Sequence, residues 1–196
     1  MSGKGKGLPN VHSGEVLAGQ DRADVGTGLK LNLGCGNKIL PGYINVDFPD
    51  NASKKKPDLE CDIRCLPYQD NTIDEVMAIH VIEHFYLWEV PDILKEWNRI
   101  LKPGGKIILE CPCMNKVIFY LGMKEMVMSH TLFALFGDPG YLDPHMTHKW
   151  CYFKEHLCAL VGREFEDVKV EAAQYHFPER DMRVTGIKQW LPTSQS

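Results

Sequence analysis

Apolar and polar positions alternate through Leu29, Leu31 and Leu33, with Lys30 and Asn32 between them, the period-two pattern of a strand with one covered face. A second short run from Tyr43 closes on Asp47, and a third from Leu59 to Ile63 carries Asp62 at its end. From Ile73 to Ile79 the pattern changes. Asp74 and Glu75 lead into Val76, Met77, Ala78 and Ile79 without alternation, as in a central strand covered on both faces. Val90, Ile93, Leu94, Trp97, Ile100 and Leu101 recur at three- and four-residue spacing, which predicts an amphipathic helix over Val90 to Leu101. Asp92 near its start and Arg99 and Lys102 near its end suit the helix dipole, and Pro103-Gly104-Gly105 should stop it. A strand from Lys106 to Cys111, a helix from Phe153 to Val161, and strands from Phe165 to Val170 and Met182 to Lys188 complete the series. Strands alternating with helices predict a parallel α/β sheet, and the last two strands, with no helix between them, should pair antiparallel.

Between the first two strands lie Gly34, Cys35 and Gly36, then six residues, Asn37 to Gly42, broken by Pro41 and Gly42. Glycines suit a backbone that approaches a ligand or takes positive φ, and an acid at a strand's carboxyl end can accept from a ribose diol. The stretch therefore reads as a nucleotide-type site. A dinucleotide site would add a third glycine and a helix to hold the pyrophosphate. Neither fits here, and Asp47 follows Gly36 by only eleven residues, against roughly 20 in that fold. A cofactor with a ribose and no phosphate suits the spacing better, and S-adenosylmethionine (SAM) is the common one.

Leu31-Asn-Leu-Gly-Cys-Gly36, Tyr43-Ile-Asn-Val-Asp47, Cys61-Asp-Ile-Arg-Cys-Leu-Pro67, Ile73-Asp-Glu-Val76, Glu83-His84 and Ile100-Leu-Lys-Pro-Gly-Gly105 stand in an order that resembles class I SAM-dependent methyltransferases, most of all small type 11 members with a shortened first helix. The resemblance covers about residues 29 to 112 well and the remainder loosely. It implies a doubly wound, mostly parallel seven-stranded sheet of Rossmann-like form with an antiparallel C-terminal hairpin. It implies that Gly34, Cys35 and Gly36 pass under the methionine part of SAM, that Asp47 holds the ribose, and that Asp62 and Ile63 meet the adenine. Many relatives carry an acid where Asn32 stands. Asn32 can still bond the amino acid group but loses charge attraction for its ammonium, which Glu110 is a candidate to restore. His80 and His84, delivered by the end of the Ile73 to Ile79 strand, should face the reacting methyl.

Methyl transfer needs a base only if the acceptor keeps its proton, and histidine has a suitable pKa. The candidates, in order, are His84, His80, then His145 and His148 from the loop after Gly137, with Glu83 able to orient His80 or to make a surface salt bridge. Asp143, His145 and His148 have an H-x-x-H spacing but no helix to carry them at i, i+4, so no metal site is expected.

The length of 196 residues suits one domain. Residues 1–28, rich in glycine, read as a flexible arm, and residues 29–196 as the domain, with an insertion over about 112–150. Within that insertion the apolar run from Val117 to Phe136 predicts one or two helices whose Met and Phe positions read as core, or as a lid over the cleft. A net charge of -4 argues against a broad nucleic-acid footprint, although Lys54, Lys55 and Lys56 form a local basic run. Seven cysteines, an odd number without a CxxC pair, suggest buried thiols in a reducing cytoplasm. No apolar run is long enough to span a bilayer. The expected activity is methyl transfer to O or N of a small-molecule or saccharide-linked acceptor. An RNA or protein methyltransferase, or a non-catalytic methyltransferase-like subunit, are the alternatives.

Overall fold

The computed structural model describes residues 28–49, 55–123, 128–140 and 143–190. The arm expected at the amino end lies outside these residues except for Gly28, as does Lys54 of the lysine run. Seven strands, β1 (Lys30–Leu33), β2 (Ile44–Asp47), β3 (Leu59–Glu60), β4 (Ile73–Ile79), β5 (Leu101–Pro112), β6 (Glu166–Ala172) and β7 (Asp181–Ile187), form one sheet in the order β3-β2-β1-β4-β5-β7-β6. β1 to β5 pair in parallel, and β7 runs antiparallel to both β5 and β6. This is the mostly parallel sheet with an antiparallel terminal hairpin that the pattern predicts. The strand order reverses at β1, so its carboxyl end and that of β4 open the crevice in which such sheets bind ligands.

Side-chain alternation divides the sheet's two faces. Leu31, Leu33, Val46, Val76, Ala78, Ile107, Leu109 and Val184 join the main core, which helices α1 (Val90–Ile100) and α4 (Lys154–Val161) share through Leu94, Trp97, Leu157 and Val161. Met77, Ile79 and Ile108 point the other way into a smaller cluster, against Leu40 and Tyr43 of the connector. Pro91 in the first turn of α1 suits its lack of an N–H, because the first helical donors have no partner. Trp97, fully buried, donates its indole N–H to the Ile63 carbonyl at 2.9 Å. Truncating such a core aromatic costs about 3 to 5 kcal/mol.

Four expectations need correction. The helix expected to run to Leu101 ends at Ile100, and Leu101 already opens β5, five residues earlier than Lys106. Ile73 pairs with Leu101 and Glu75 with Lys106, so one intervening residue on β4 faces four on β5. Pro103-Gly104-Gly105 is thus a bulge inside a strand pairing, with Gly104 at φ 78°, rather than a stop before it. The strand expected over Leu59 to Ile63 pairs only at Leu59 and Glu60, because at the sheet edge the chain turns at Asp62, whose carbonyl accepts from Cys65. Asn32, an outward polar position by alternation, is buried because the connector folds over it. The apolar run after Val117 forms two helices, α2 (Met114–Met123) and α3 (Met128–Phe136), and its core reading fails for much of it. Val117 and Ala134 are buried, but Ile118, Phe119, Leu121, Leu132 and Phe136 are exposed.

Candidate functional site

The connector after β1 is held by side-chain amides in place of a helix. Asn32 Nδ2 donates to the Lys38 carbonyl at 2.8 Å and to Asn45 Oδ1 at 2.9 Å. Asn45 Oδ1 also accepts from the Leu40 amide at 2.8 Å, and its Nδ2 donates to Asp58 at 2.8 Å. Asn32 therefore pins the six-residue connector, a structural task beside any contact it makes with a ligand. Farther on, Lys38 Nζ reaches the Tyr175 carbonyl at 2.6 Å, fastening the connector to the turn between β6 and β7.

Gly34 and Gly36 have φ of 60° and 49°, the left-handed region where side chains are strained. Their surroundings differ. A Cβ on Gly34 would lie 2.6 Å from Val81 Cγ2, whereas one on Gly36 would meet nothing within 4 Å. Gly34 thus lets the ends of β1 and β4 close on each other, and Gly36 lines open space. Asp47, at the tip of β2, faces that space: Oδ2 accepts from the Gly36 amide at 2.5 Å and Oδ1 from the Phe48 amide at 2.7 Å. A carboxylate has about four acceptor sites, so a diol's two hydroxyls can still be received. Burial, and then the Asp47 charge, push the Cys35 thiol up to about 12, so it stays protonated.

Ile63 is buried against α1, and Asp62 is gripped by Arg64 through Nε at 3.0 Å and Nη2 at 2.8 Å. Burial opposes its charge, but the Arg64 hydrogen bonds still hold its carboxyl below the usual range. Glu110, the candidate to stand in for the acid missing at Asn32, is fully buried. Its carboxylate accepts from Arg183 Nε at 2.8 Å and from the amides of Gln174 and Tyr175 at 2.8 and 3.0 Å.

At the end of β4, His80 has φ 55° and sits between two buried carboxylates, Nδ1 2.9 Å from Glu83 Oε1 and Nε2 2.9 Å from Asp181 Oδ2. Burial disfavours its charge, but the Glu83 charge and the Asp181 hydrogen bond outweigh burial and raise its pKa to about 9. His80 is thus an imidazolium at neutral pH and has no lone pair with which to act as a base. Glu83, 1% exposed, is a buried carboxylate and not a surface ion pair. His80's charge overcomes burial and takes Glu83 down to about 2.

His84 follows in the 3-10 turn Ile82–His84, its Nδ1 3.3 Å from the Thr147 carbonyl. Burial lowers its pKa, so the neutral ring keeps a free Nε2. His148 packs edge-on against it, ring centroids 4.8 Å apart, with Nδ1 2.9 Å from the Ala134 carbonyl. His145 is not brought to this group. It is exposed beside Phe48, with ring centroids 6.2 Å apart, and its amide is capped by Asp143 at 2.9 Å.

His80, His84 and His148 therefore converge on Glu83, while His145 stands apart beside Phe48. Two participants escape sequence reasoning. Asp181 and His176 arrive from the terminal hairpin, Asp181 taking Arg180 Nε at 2.6 Å and Nη2 at 2.9 Å while the His176 ring lies tilted against His80, centroids 4.2 Å apart. Asp181 lies a hundred residues from His80 in sequence, and the one local signal for it is the Arg180-Asp181 pair.

The sheet order, the glycine turn and the acid at the tip of β2 define a Rossmann-like methyltransferase fold. The model of a methyltransferase domain matches residues 24–109. The chain is 29% identical over 185 residues to a demethylmenaquinone methyltransferase of Shouchella clausii, covering 81% of this chain and 72% of that one. It is similar to the solved structures of SAM-dependent methyltransferases of Thermotoga maritima (20% identity, TM-score 0.57, 83% of each chain) and Archaeoglobus fulgidus (19% identity, TM-score 0.57, 83% of this chain and 87% of that one). The matching domain model and these relatives support a class I SAM-dependent methyltransferase with SAM as its cofactor. Among the described residues no helix is long and apolar enough to cross a membrane.

Proposed function

We propose that the enzyme methylates an oxygen or nitrogen of a small-molecule or saccharide-linked acceptor, which meets the methyl donor at the carboxyl end of β4. The supporting observation is the pair of histidines there, His84 and His148, each with Nδ1 turned to a backbone carbonyl, which leaves Nε2 for other partners. When bound, SAM supplies a methyl group made electrophilic by its sulfonium. The open backbone at Gly36 receives its methionine part, Asp47 its ribose diol, and the turn at Asp62 and Ile63 its adenine. The task left to the protein is positioning and exclusion of water, worth up to about 7 to 11 kcal/mol in well-oriented systems. His84 acts on the acceptor's proton, while His80, already charged, fixes Glu83 and Asp181 in place. We read residues 28–190 as one domain and place it in the cytoplasm, where its seven free thiols would stay reduced.

A second reading, a quinone-type apolar acceptor, is favoured by the similarity to a demethylmenaquinone methyltransferase and by the exposed Ile118, Phe119 and Phe136 on α2 and α3. Release of S-adenosylhomocysteine (SAH) with separate pools of hydroxyl- and amine-bearing metabolites, saccharide conjugates, demethylmenaquinone and RNA tests both. Turnover with the first two pools, reduced in His84→Ala, is expected. Turnover with RNA alone would overturn the proposal.

A further inference from the structure

We propose that Glu83, His84 and His148 bind a divalent first-row transition ion. One donor atom from each of the three lies within 4.8 Å of the others. Two arrangements of these side chains point to an ion rather than to casual proximity.

The first is the tautomer of each ring. The Nδ1 of His84 faces the Thr147 carbonyl at 3.3 Å, and the Nδ1 of His148 faces the Ala134 carbonyl at 2.9 Å. A carbonyl only accepts, so both Nδ1 atoms carry a proton, and Nε2 is the atom of each ring left to ligate an ion. A ring N–H anchored on a backbone carbonyl is the usual support of a metal-ligating histidine. The second is Glu83 itself. It is 1% exposed, and neither carboxylate oxygen receives a directed hydrogen bond. His80 stands 2.9 Å from Oε1 and neutralises its charge, but approaches too obliquely for a directed hydrogen bond, and His148 Nε2 is 4.0 Å away. The second oxygen, Oε2, is buried without a hydrogen-bond partner, a need that a cation beside the two rings would meet.

Donors on one such ion stand about 3 to 4 Å apart, given ligand bonds of about 2.0 to 2.2 Å. The present spread closes by small rotations of His84, the half-buried member. Two imidazoles and a carboxylate suit a transition ion rather than Mg²⁺ or Ca²⁺, which prefer oxygen.

The neighbouring cluster of His80, His176 and Asp181 offers a contrast. There Asp181 already accepts two Arg180 N–H groups, so besides the His80 imidazolium that both clusters share a cation would meet a guanidinium.

Three protein ligands leave coordination positions for an acceptor oxygen, whose O–H an ion would acidify, so that with the ion bound His84 acts on the acceptor's proton through the ion and not as a free base. The proton goes to solvent and the electron pair stays on oxygen. Glu83 and the ionised acceptor together offset the ion's two charges. This last step rests on the acceptor reading above, but the ion site does not.

The test is Co²⁺ uptake by chelator-stripped protein, followed by visible absorption and by calorimetry without acceptor, with Zn²⁺ in competition. Stoichiometric binding is expected, weakened about 100-fold or more in Glu83→Gln and in His148→Ala, and unchanged in His145→Ala from the same loop. SAH calorimetry on each variant verifies that the fold persists. Absence of stoichiometric Co²⁺ binding, or binding that both variants leave intact, overturns the site. Binding without turnover of any hydroxyl or amine acceptor upholds it and overturns the acceptor reading instead.

Discussion

Gly34 and Gly36 stand one residue apart with similar positive φ, yet alanine at the two positions should do different things. At either, a Cβ in the left-handed region costs about 1 to 2 kcal/mol. At Gly34 the new Cβ would also fall 2.6 Å from Val81 Cγ2, and overpacking of that kind adds about 1 to 3 kcal/mol. Gly34→Ala should therefore lose about 2 to 5 kcal/mol of folding stability, and Gly36→Ala about 1 to 2. Adding Val81→Ala should return part of the loss at Gly34 and none at Gly36, because only the first pair is in contact. Binding should separate the glycines in the opposite sense. A Cβ on Gly36 enters space that no described residue fills within 4 Å. If the methionine part of SAM occupies it, SAH affinity falls by about tenfold or more, at 1.4 kcal/mol per tenfold. Urea denaturation and SAH calorimetry measure the two quantities on wild type, the two alanine variants, Val81→Ala and the two double variants. Equal stability losses at Gly34 and Gly36 would refute the packing argument, and unchanged SAH affinity in Gly36→Ala would move the cofactor elsewhere.

Asp47→Ala should weaken SAH binding by about 100-fold, since two hydrogen bonds to a charged acceptor contribute about 1.5 to 3 kcal/mol each and solvent recovers part of that; calorimetry decides it, and intact binding removes Asp47 from the ribose. Asn32→Leu removes the side-chain donor to the Lys38 carbonyl and leaves Asn45 Oδ1 with the Leu40 amide alone, and should cost about 1 to 3 kcal/mol in urea denaturation, whereas a change within error would show that the connector holds without it. His80 has a folded pKa near 9, above its ordinary 6.5, so its pairing stabilises the fold fully below about pH 6.5 and is lost as pH rises through about 9. At about 1.36 kcal/mol per unit this comes to roughly 3 kcal/mol. Chelator-treated wild type should lose that much more stability between about pH 6 and pH 10 than His80→Asn, and parallel pH profiles would show His80 uncharged.

Much of the fold is visible in local pattern because its causes are local. The alternation at Leu31 and Leu33, the unbroken run from Val76 to Ile79 and the three- and four-residue spacing from Val90 each report one element's own burial. The failures come where tertiary contacts decide. Pro103-Gly104-Gly105 ends a helix in any window of the chain, and only pairing with Ile73 and Glu75 turns it into a bulge within β5. Asn32 looks like a surface position until the connector covers it. The nucleotide-type turn is legible for the same local reason, since two glycines and an acid at set spacing are short-range signals. The histidine cluster is legible only in pieces. His80 and His84 stand out as neighbours of a strand end, but nothing near Glu83 in sequence foretells that it is sealed from water, nor that His148 and Asp181 reach it from a loop and a hairpin far along the chain.

The bond from Lys38 to the Tyr175 carbonyl joins two parts of the molecule that a domain map would treat as unrelated. One is the rim of the cofactor turn and the other is the bend of the last hairpin. Shortening the carboxyl-terminal hairpin, or crowding its bend with a fusion tag, would therefore register first as poorer retention of the methyl donor. A survey of truncations scored by folding alone would miss the effect.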